Sequence, residues 1–272
     1  ALARATEAGH NYYAASEGVP ELREAIAEKE NKVNSVPISA EDVIVTSGIS
    51  EAIQFLFGAI IEPGDEILVP GPTYPPYISY AKFFGGTPVA YRTIEEDDWR
   101  LDVEDLRSKV TETTRAIAIV NPNNPTGSLY DEKTLRQVID IAAEHNLPII
   151  SDEIYDRLVY ESTFRSTASI AKDVPVVGLN GFSKTYVMTG WRLGYLYFRD
   201  PRNTLVELKE SVAKESRIRI CAATPLQHAA IRALRGPQAH ISRMARVLRQ
   251  RRDHFLRRLR SIEGFTCTTP KG

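Results

Sequence analysis

Short apolar stretches with the period of β-strands alternate with stretches of helical period along most of this chain, and this alternation is what most constrains the fold. Such a rhythm is typical of a parallel or mixed sheet covered by helices on both faces. The predicted strands are 43–46, 66–69, 87–91, 116–120, 148–151, 175–179 and 194–198. The predicted helices are Pro20–Lys32, Ser50–Ile61, Pro75–Phe84, Val103–Val110, Asp131–His145 and Pro201–Glu215.

The size and charge of the chain exclude several classes of protein. Its 272 residues predict one large domain, or one domain and part of a second. The net charge of −1 gives no field that favours nucleic acid or an anionic membrane. Cys221 and Cys267 lack metal-ligand or CxxC spacing, and neither a signal peptide nor a membrane-spanning apolar run is visible. We therefore expect a cytoplasmic protein without disulfides or a metal site.

Residues 237–262 have a different pattern. Apolar side chains recur at helical spacing, and eight arginines lie from Arg243 to Arg260. This pattern predicts one long amphipathic helix. The arginines allow a nucleic-acid interface, but a solvated helix face explains them with fewer assumptions.

Lys184 lies between small residues in the segment 180–195, and Arg192 follows eight positions later. A lysine amine can form a Schiff base with an aldehyde, and pyridoxal phosphate is held in this way. Taken alone, Lys184 is better explained as a solvated surface lysine. Arg192 is likewise explained by a surface ion pair.

Polar residues follow two further predicted strands. The strand 148–151 leads into Asp152, with Tyr155 three residues on, and the strand 116–120 leads into the polar loop 121–127. Ligands of open α/β sheets bind at such carboxyl ends of strands. These residues are therefore candidates for one site.

Three ordered motifs resemble those of the class I pyridoxal-phosphate aminotransferases. They are Asn-Pro-Thr-Gly at 124–127, Asp-x-x-Tyr at 152–155, and Ser183-Lys184 followed by Gly-Trp-Arg at 190–192. The resemblance covers Asn11 to the C-terminus and implies fold type I, an α/β fold with three α/β/α layers around a mostly parallel mixed sheet. The stretches that most resemble archaeal-type alanine aminotransferases are 10–13, 70–77, 92–99 and 152–156.

The turn 47–50 joins the strand 43–46 to a predicted helix, so its free backbone N–H groups and the positive helix end face one point. A plain connector is the alternative. The resemblance implies that Gly48, Ile49 and Ser50 hold the phosphate of pyridoxal 5′-phosphate, with Arg192 as a charged partner.

The resemblance also implies roles around the cofactor ring. Asp152 matches the carboxylate that keeps the ring nitrogen protonated. Asn124 and Tyr155 match the residues that hydrogen-bond the ring hydroxyl oxygen, and Tyr74 matches the aromatic that stacks on the ring. Tyr13 matches a tyrosine that reaches the phosphate of a neighbouring subunit, so we expect a homodimer. Taken singly, these residues are equally explained as caps, turn residues or core aromatics.

One position departs from the family pattern. Family members often have serine or threonine three residues before the lysine, where this chain has Gly181. Either Ser183 substitutes, or the phosphate has one hydroxyl contact fewer. The Asn124–Pro125 bond is expected to be cis, since the matching family loop is cis.

We expect residues 1–236 to form the large cofactor-binding domain, with an incomplete N-terminus. Residues 237–272 are expected to form a connecting helix and the start of a small domain that is mostly absent. The arginine that grips the substrate α-carboxylate in family members is then expected beyond Gly272. A chain of these residues alone is expected to bind the cofactor but to transaminate slowly.

The motifs favour transamination in two half-reactions, in which an L-amino acid, by resemblance alanine, gives its amino group to a 2-oxo acid such as 2-oxoglutarate. Lys184 is then both covalent anchor and general base, assisted by Asp152 and Tyr155. Aspartate or aromatic substrates, a β-lyase or decarboxylase reaction on the same cofactor, and a non-catalytic regulatory protein remain alternatives.

Overall fold

The computed structural model describes all 272 residues, and its centre is one eight-stranded mixed sheet. The strands are β1 (Val43–Thr46), β2 (Glu66–Gly71), β3 (Thr87–Ile94), β4 (Arg100–Leu101), β5 (Thr114–Val120), β6 (Ile149–Asp152), β7 (Val176–Gly181) and β8 (Gly194–Arg199). Their order is β1-β8-β7-β6-β5-β2-β3-β4. The pairs among β3, β2, β5, β6 and β7 are parallel, whereas β8 runs antiparallel to both of its neighbours.

Ten α-helices surround this sheet. They are α1 (Leu2–Glu7), α2 (Pro20–Asn34), α3 (Ile49–Ile60), α4 (Pro75–Phe83), α5 (Val103–Ser108), α6 (Glu132–Glu144), α7 (Thr167–Ile170), α8 (Val206–Ile218), α9 (Thr224–Arg235) and α10 (Ala239–Arg260). No helix is both long enough and apolar enough to span a membrane.

The core is divided by the sheet into two apolar clusters. Along β5, Ile117 and Ile119 face the cluster that contains residues of α2 and α6. Ala116, Ala118 and Val120 face the cluster that contains residues of α3, α4 and α8. This alternation follows from the two-residue period of a strand, and burial of both faces explains why β5 is apolar from Ala116 to Val120. The predicted three-layer α/β/α fold is therefore confirmed.

The predicted strands and helices are present with small shifts at their ends, apart from one clear error. The helix predicted at Pro201–Glu215 is α8, which begins at Val206 and ends at Ile218. The Asp200 carboxylate accepts hydrogen bonds from the backbone N–H groups of Thr204 and Leu205 and so fixes a turn where the prediction had helix. The prediction also omitted α1, α7, α9 and β4.

The arginine-rich segment 237–262 forms the expected long helix, α10, over Ala239–Arg260. Only Ile241 and Leu256 of this helix are buried. The helix therefore contacts the rest of the protein along a narrow stripe. The division into a domain at 1–236 and a further segment stays a prediction.

Packing of α3 onto the sheet fixes the turn before this helix, and Ile53 contributes a fully buried side chain to it. Ile53→Ala should lower the free energy of unfolding by about 2–5 kcal/mol, because it leaves a cavity in the core. Ile218→Ala is the matched control, since Ile218 is 80% exposed, and it should change stability by less than about 0.5 kcal/mol. Urea denaturation measures both, and equal effects would contradict the packing.

Candidate active site

A cavity of about 170 Å³ lies at the carboxyl ends of β5, β6 and β7, beside the turn from β1 to α3. The parallel pairing of β5, β6 and β7 brings these ends together, which is where open α/β sheets bind ligands. Its lining residues are Ile49, Ser50, Tyr74, Val120, Asn124, Asp152, Ile154, Tyr155, Gly181, Ser183, Lys184, Thr189, Arg192 and Leu193. Nine of the residues predicted from the sequence are among them: Ile49, Ser50, Tyr74, Asn124, Asp152, Tyr155, Ser183, Lys184 and Arg192.

Arg192 closes the site beside the N-terminus of α3. Its guanidinium donates hydrogen bonds to the backbone oxygens of Thr189 and Ser47 and to Ser50 Oγ, at 3.1–3.3 Å. All three acceptors are uncharged, so the positive charge of Arg192 has no carboxylate partner there. Together with the free N–H groups of the α3 N-terminus, this charge forms a site suited to an anion.

Gly48, the residue before α3, lies so close to the guanidinium of Arg192 that a side chain at position 48 would not fit. Its φ of +87° is a conformation that glycine adopts without strain, and a Cβ atom would lie 2.7 Å from Arg192 Nη2. Gly48 therefore lets the guanidinium approach the turn, although its own atoms do not line the cavity.

Asp152 ends β6 inside the protein, with 2% of its surface exposed. Its carboxylate accepts one hydrogen bond from Tyr77 Oη and one from the Ile154 backbone N–H, each at 3.2 Å. Burial raises the pKa of Asp152 to about 6, against the opposing effects of these bonds and of the positive charge of Lys184. A cationic partner in the cavity would stabilise the ionised form.

Lys184 and Tyr155 lie on the same side of the cavity. Lys184 Nζ is 5.7 Å from the centre of the Tyr155 ring, a cation–π distance. Burial, followed by the charge of Asp152, raises the pKa of the Tyr155 hydroxyl. Tyr155 is therefore held neutral as a hydrogen-bond donor near the lysine.

The loop after β5 is tied down by its own side chains and so places Asn124. Asn121 Oδ1 accepts from the backbone N–H of Tyr130, and Asn123 Oδ1 accepts from the N–H and hydroxyl of Thr126. The Asn124–Pro125 bond is cis, as predicted.

The absence of a hydroxyl side chain at position 181 has a steric reason. A Cβ atom on Gly181 would lie 2.9 Å from Gly194 Cα and 3.1 Å from the Leu193 carbonyl oxygen. Strand β8 therefore leaves no room for serine or threonine there. Ser183 lines the cavity, and its substitution for the missing hydroxyl stays a prediction.

Tyr13 lies away from this group, with 78% of its surface exposed. It does not line the cavity of its own chain. A role at the site of a second copy stays a prediction.

Four cavity residues and one neighbour were missed by the sequence reasoning. The missed lining residues are Val120, Ile154, Thr189 and Leu193. The missed neighbour is Tyr77, which donates a hydrogen bond to Asp152. Tyr77 follows Tyr74 by three positions at the start of α4, so helical spacing could have placed both on one face. The contact of Tyr77 with Asp152 joins residues far apart in sequence, which no local pattern indicates.

These residues fit pyridoxal phosphate on three chemical grounds. Arg192 and the α3 N-terminus suit its phosphate. The buried carboxyl of Asp152 has only uncharged hydrogen-bond donors, so a protonated ring nitrogen would be a favourable partner. Lys184 supplies a primary amine for the aldehyde.

Comparison with known proteins agrees with this chemistry. The model of one protein family, "Aminotransferase class I and II", matches residues 2–272. The chain belongs to that family. The structure of alanine aminotransferase from Pyrococcus furiosus superposes with a TM-score of 0.98 and 53% identity, over 100% of this chain and 69% of that one.

Two further relatives carry different substrate names. A probable aspartate/prephenate aminotransferase of Aquifex aeolicus is 37% identical over 100% of this chain and 69% of its own length. Alanine aminotransferase of Mycobacterium tuberculosis is 36% identical over 96% of this chain and 62% of its own length. The chain thus spans roughly two thirds of these transaminases.

The raised pKa of Asp152 predicts a stability that depends on pH in the cofactor-free protein. The folded protein keeps the carboxyl proton between the ordinary pKa of 3.8 and about 6, while the unfolded chain releases it. The free energy of unfolding therefore falls across that window by up to about 3 kcal/mol. Asp152→Asn should remove this loss and be more stable than the native protein at pH 7.5.

Urea denaturation at pH 4 and pH 7.5, without added cofactor, measures this difference. The advantage of Asp152→Asn should shrink towards zero at pH 4, where both side chains are uncharged. An advantage that is the same at both pH values would show that Asp152 is not a buried carboxyl with a raised pKa.

Proposed function

We propose that the protein is a pyridoxal-phosphate-dependent transaminase that moves the amino group of L-alanine to 2-oxoglutarate in the cytoplasm. The observation that carries the proposal is the convergence of Lys184, Asp152 and Arg192 on one cavity, in a chain of this family. The preference for alanine is supported by the 53% identity to the P. furiosus alanine aminotransferase.

Bound pyridoxal phosphate supplies an aldehyde that captures amino groups and a protonated ring that withdraws the electron pair left by the departing α-proton. Arg192, Ser50 and the backbone N–H groups at the start of α3 would bind the phosphate. Tyr74 would pack against the ring, and Asn124 and Tyr155 would hydrogen-bond its hydroxyl oxygen. Asp152 would keep the ring nitrogen protonated, since that charge would stabilise its carboxylate.

Lys184 has two tasks in this proposal. Its amine anchors the cofactor before the amino acid enters. Once freed by the incoming amino acid, Nζ would take the proton from the substrate Cα as a general base and, in its protonated form, would then serve as a general acid. Its position beside Tyr155 keeps the amine at the cavity wall during both steps.

Arg192 is the only arginine that lines this cavity, and it serves the phosphate. The structure thus assigns no residue to the substrate α-carboxylate. Aspartate or aromatic substrates remain second candidates, of which aspartate is favoured by the name of the A. aeolicus relative.

Lys184→Ala should abolish the visible absorption of the bound cofactor and lower transamination by at least about a hundredfold, because both anchor and base are lost. Lys214→Ala, on the exposed side of α8, is the control and should leave both unchanged. The assay follows pyruvate formation from alanine and 2-oxoglutarate by the full-length protein. An unchanged absorption band in Lys184→Ala would refute the assignment.

The same assay tests the substrate. The kcat/KM for alanine should exceed those for aspartate and phenylalanine by at least about tenfold, the effect of one well-placed pocket contact. A larger value for aspartate would replace alanine in the proposal while leaving the transaminase reaction intact. Bound cofactor without turnover of any amino acid would favour the regulatory alternative.

We further propose a homodimer in which Tyr13 of one subunit hydrogen-bonds the phosphate in the other. Its 78% exposure leaves the hydroxyl free for such a contact. Tyr13→Phe should weaken cofactor binding by about 10- to 150-fold, the effect of one hydrogen bond to a charged group, and dilution to monomers should weaken it as well. Tyr12→Phe, 57% exposed, is the neighbouring control. Full affinity in a demonstrated monomer would exclude a shared site.

A further inference from the structure

A cluster of buried charged and polar side chains lies behind the active site, on the α2 side of the sheet. At its centre, Lys29 Nζ donates hydrogen bonds to Asp156 Oδ2 at 2.5 Å and to Glu30 Oε1 at 2.9 Å. The side chains of Lys29, Glu30 and Asp156 are 9%, 0% and 1% exposed. We call these residues, with Asn34, Asn180 and Tyr195, the Lys29 cluster.

The Lys29 cluster is joined to two strands that lead into the active site. Asn180 of β7 donates from Nδ2 to Asp156 Oδ2 at 3.1 Å, and Tyr195 of β8 donates from its hydroxyl to Glu30 Oε1 at 2.6 Å. Asn180 and Tyr195 are also opposite each other in the β7–β8 ladder. The cluster thus hydrogen-bonds both residues of one β7–β8 pair, from the α2 side of the sheet.

The next register pair is part of the site. Gly181 and Gly194 follow as partners, and Gly181 lines the cavity. The Gly181 N–H donates to Asn180 Oδ1 at 2.7 Å, so the same side chain that binds Asp156 also orients this peptide. Lys184 is only three residues after Gly181. The chain path from the Lys29 cluster to the proposed catalytic amine is therefore short and fixed at its start.

Thr185, the residue after Lys184, faces the same cluster. It is 3% exposed and its Oγ1 has no protein partner. A cavity of about 10 Å³ lies among Lys29, Asp156, Asn180 and Thr185, close to the volume that one water molecule needs. A water there would link the hydroxyl of Thr185 to the cluster and add a second tie next to Lys184.

Stability alone does not account for such a cluster. Burial opposes the charge of Lys29, although Asp156 and Glu30 outweigh that effect and raise its pKa. Two carboxylates face this one cation, and buried ion pairs are often no more stabilising than apolar residues of the same size. The hydrogen bonds of the Lys29 cluster, by contrast, fix the positions of its side chains relative to one another. A role in position is the better explanation.

We propose that the Lys29 cluster is a positioning site that fixes the ends of β7 and β8 and thereby places Lys184 in the active site. Asn180 and Tyr195 are positioning residues because they act through the backbone and do not line the cofactor cavity. The function of this placement rests on the proposed transaminase activity. The mechanical link between the cluster and residues 181–186 does not, so the two are tested separately.

The first test removes one oxygen from the cluster and matches it with a control on the same strand. Tyr195→Phe deletes the hydroxyl that binds Glu30. Tyr197→Phe deletes a hydroxyl two residues on that is equally buried and has no hydrogen-bond partner. Asn180→Ala removes the tie to Asp156 on β7 together with the acceptor of the Gly181 N–H, so for this variant the exchange of residues 182–186 is the measure. Amide hydrogen exchange of residues 181–186 is measured in the cofactor-free protein.

Exchange at residues 181–186 should be about tenfold faster in Tyr195→Phe and Asn180→Ala than in the native protein, the effect of one lost hydrogen bond to a charged group. Tyr197→Phe should leave it unchanged. If all three variants exchange at the native rate, the cluster does not hold this segment and the proposal is overturned. This result is independent of whether the protein binds pyridoxal phosphate.

The second test measures the consequence for the cofactor. The dissociation constant for pyridoxal phosphate should rise at least about fivefold in Asn180→Ala and Tyr195→Phe, and the pH midpoint of the visible absorption should shift, because the Lys184 amine is less well placed. If a variant shows faster amide exchange but the native affinity for the cofactor and the native pH midpoint, the cluster does not position Lys184 and that part of the proposal is overturned. Failure of the native protein to bind the cofactor would instead refute the proposed function.

Lys29→Met tests the centre of the cluster. It leaves two buried carboxylates without their cation, so the variant is expected to be less stable. Lys32→Met, an exposed lysine one turn further along α2, is the matched control. Where Lys29→Met folds, its exchange at 181–186 should exceed that of Lys32→Met by at least about tenfold. Where it does not, the Asn180 and Tyr195 variants decide.

Discussion

The parallel pairing of β5, β6 and β7 is the constraint on which the rest of this structure depends. Parallel strands all end at the same edge, so the residues that follow them meet without any long-range signal in the sequence. Asp152 ends β6, and Asn124 and Lys184 follow the adjacent strands β5 and β7. Strand β8 runs antiparallel to β7 and pairs with β1 on its other side. Arg192, just before β8, therefore lies beside the turn from β1 into α3. The order of the strands thus places the charge of Arg192 at one end of the cavity.

Burial of charge has opposite consequences at two places in the same sheet. Asp152 is a carboxyl with only two hydrogen-bond donors and a raised pKa, which leaves it responsive to any cation that enters the cavity. Behind the sheet, Asp156 accepts from Lys29, Asn34 and Asn180. The carboxylate of Asp152 thus has no charged hydrogen-bond partner, whereas Oδ2 of Asp156 accepts from a lysine and two amides that tie α2 to β7. The two carboxyls are only four positions apart in the sequence.

The sequence predicted the layers, most strand and helix positions and nine residues of the cavity wall, because these depend on local periodicity and on motifs at strand ends. It failed where a side chain overrides local preference, as Asp200 does before α8. It also gave no indication of Tyr77 beneath Asp152 or of Lys29 beside Asp156, since those partners are 75 and 127 positions apart. Contacts of that kind follow from the completed fold and have no periodic pattern to reveal them.

The contact of Gly181 with Gly194, and of Gly194 with Gly48, has a consequence for how this site can change. A Cβ atom on Gly194 would lie 2.9 Å from Gly48 Cα, and one on Gly181 would lie 2.9 Å from Gly194 Cα. The three backbones therefore touch in series, and no one of them can gain a side chain while its neighbour stays in place. Substitutions at these positions are expected to be strongly epistatic, with the effect of each depending on the other two. Divergence of the Arg192 side of this pocket would then require coordinated changes in β7, in β8 and in the turn between β1 and α3.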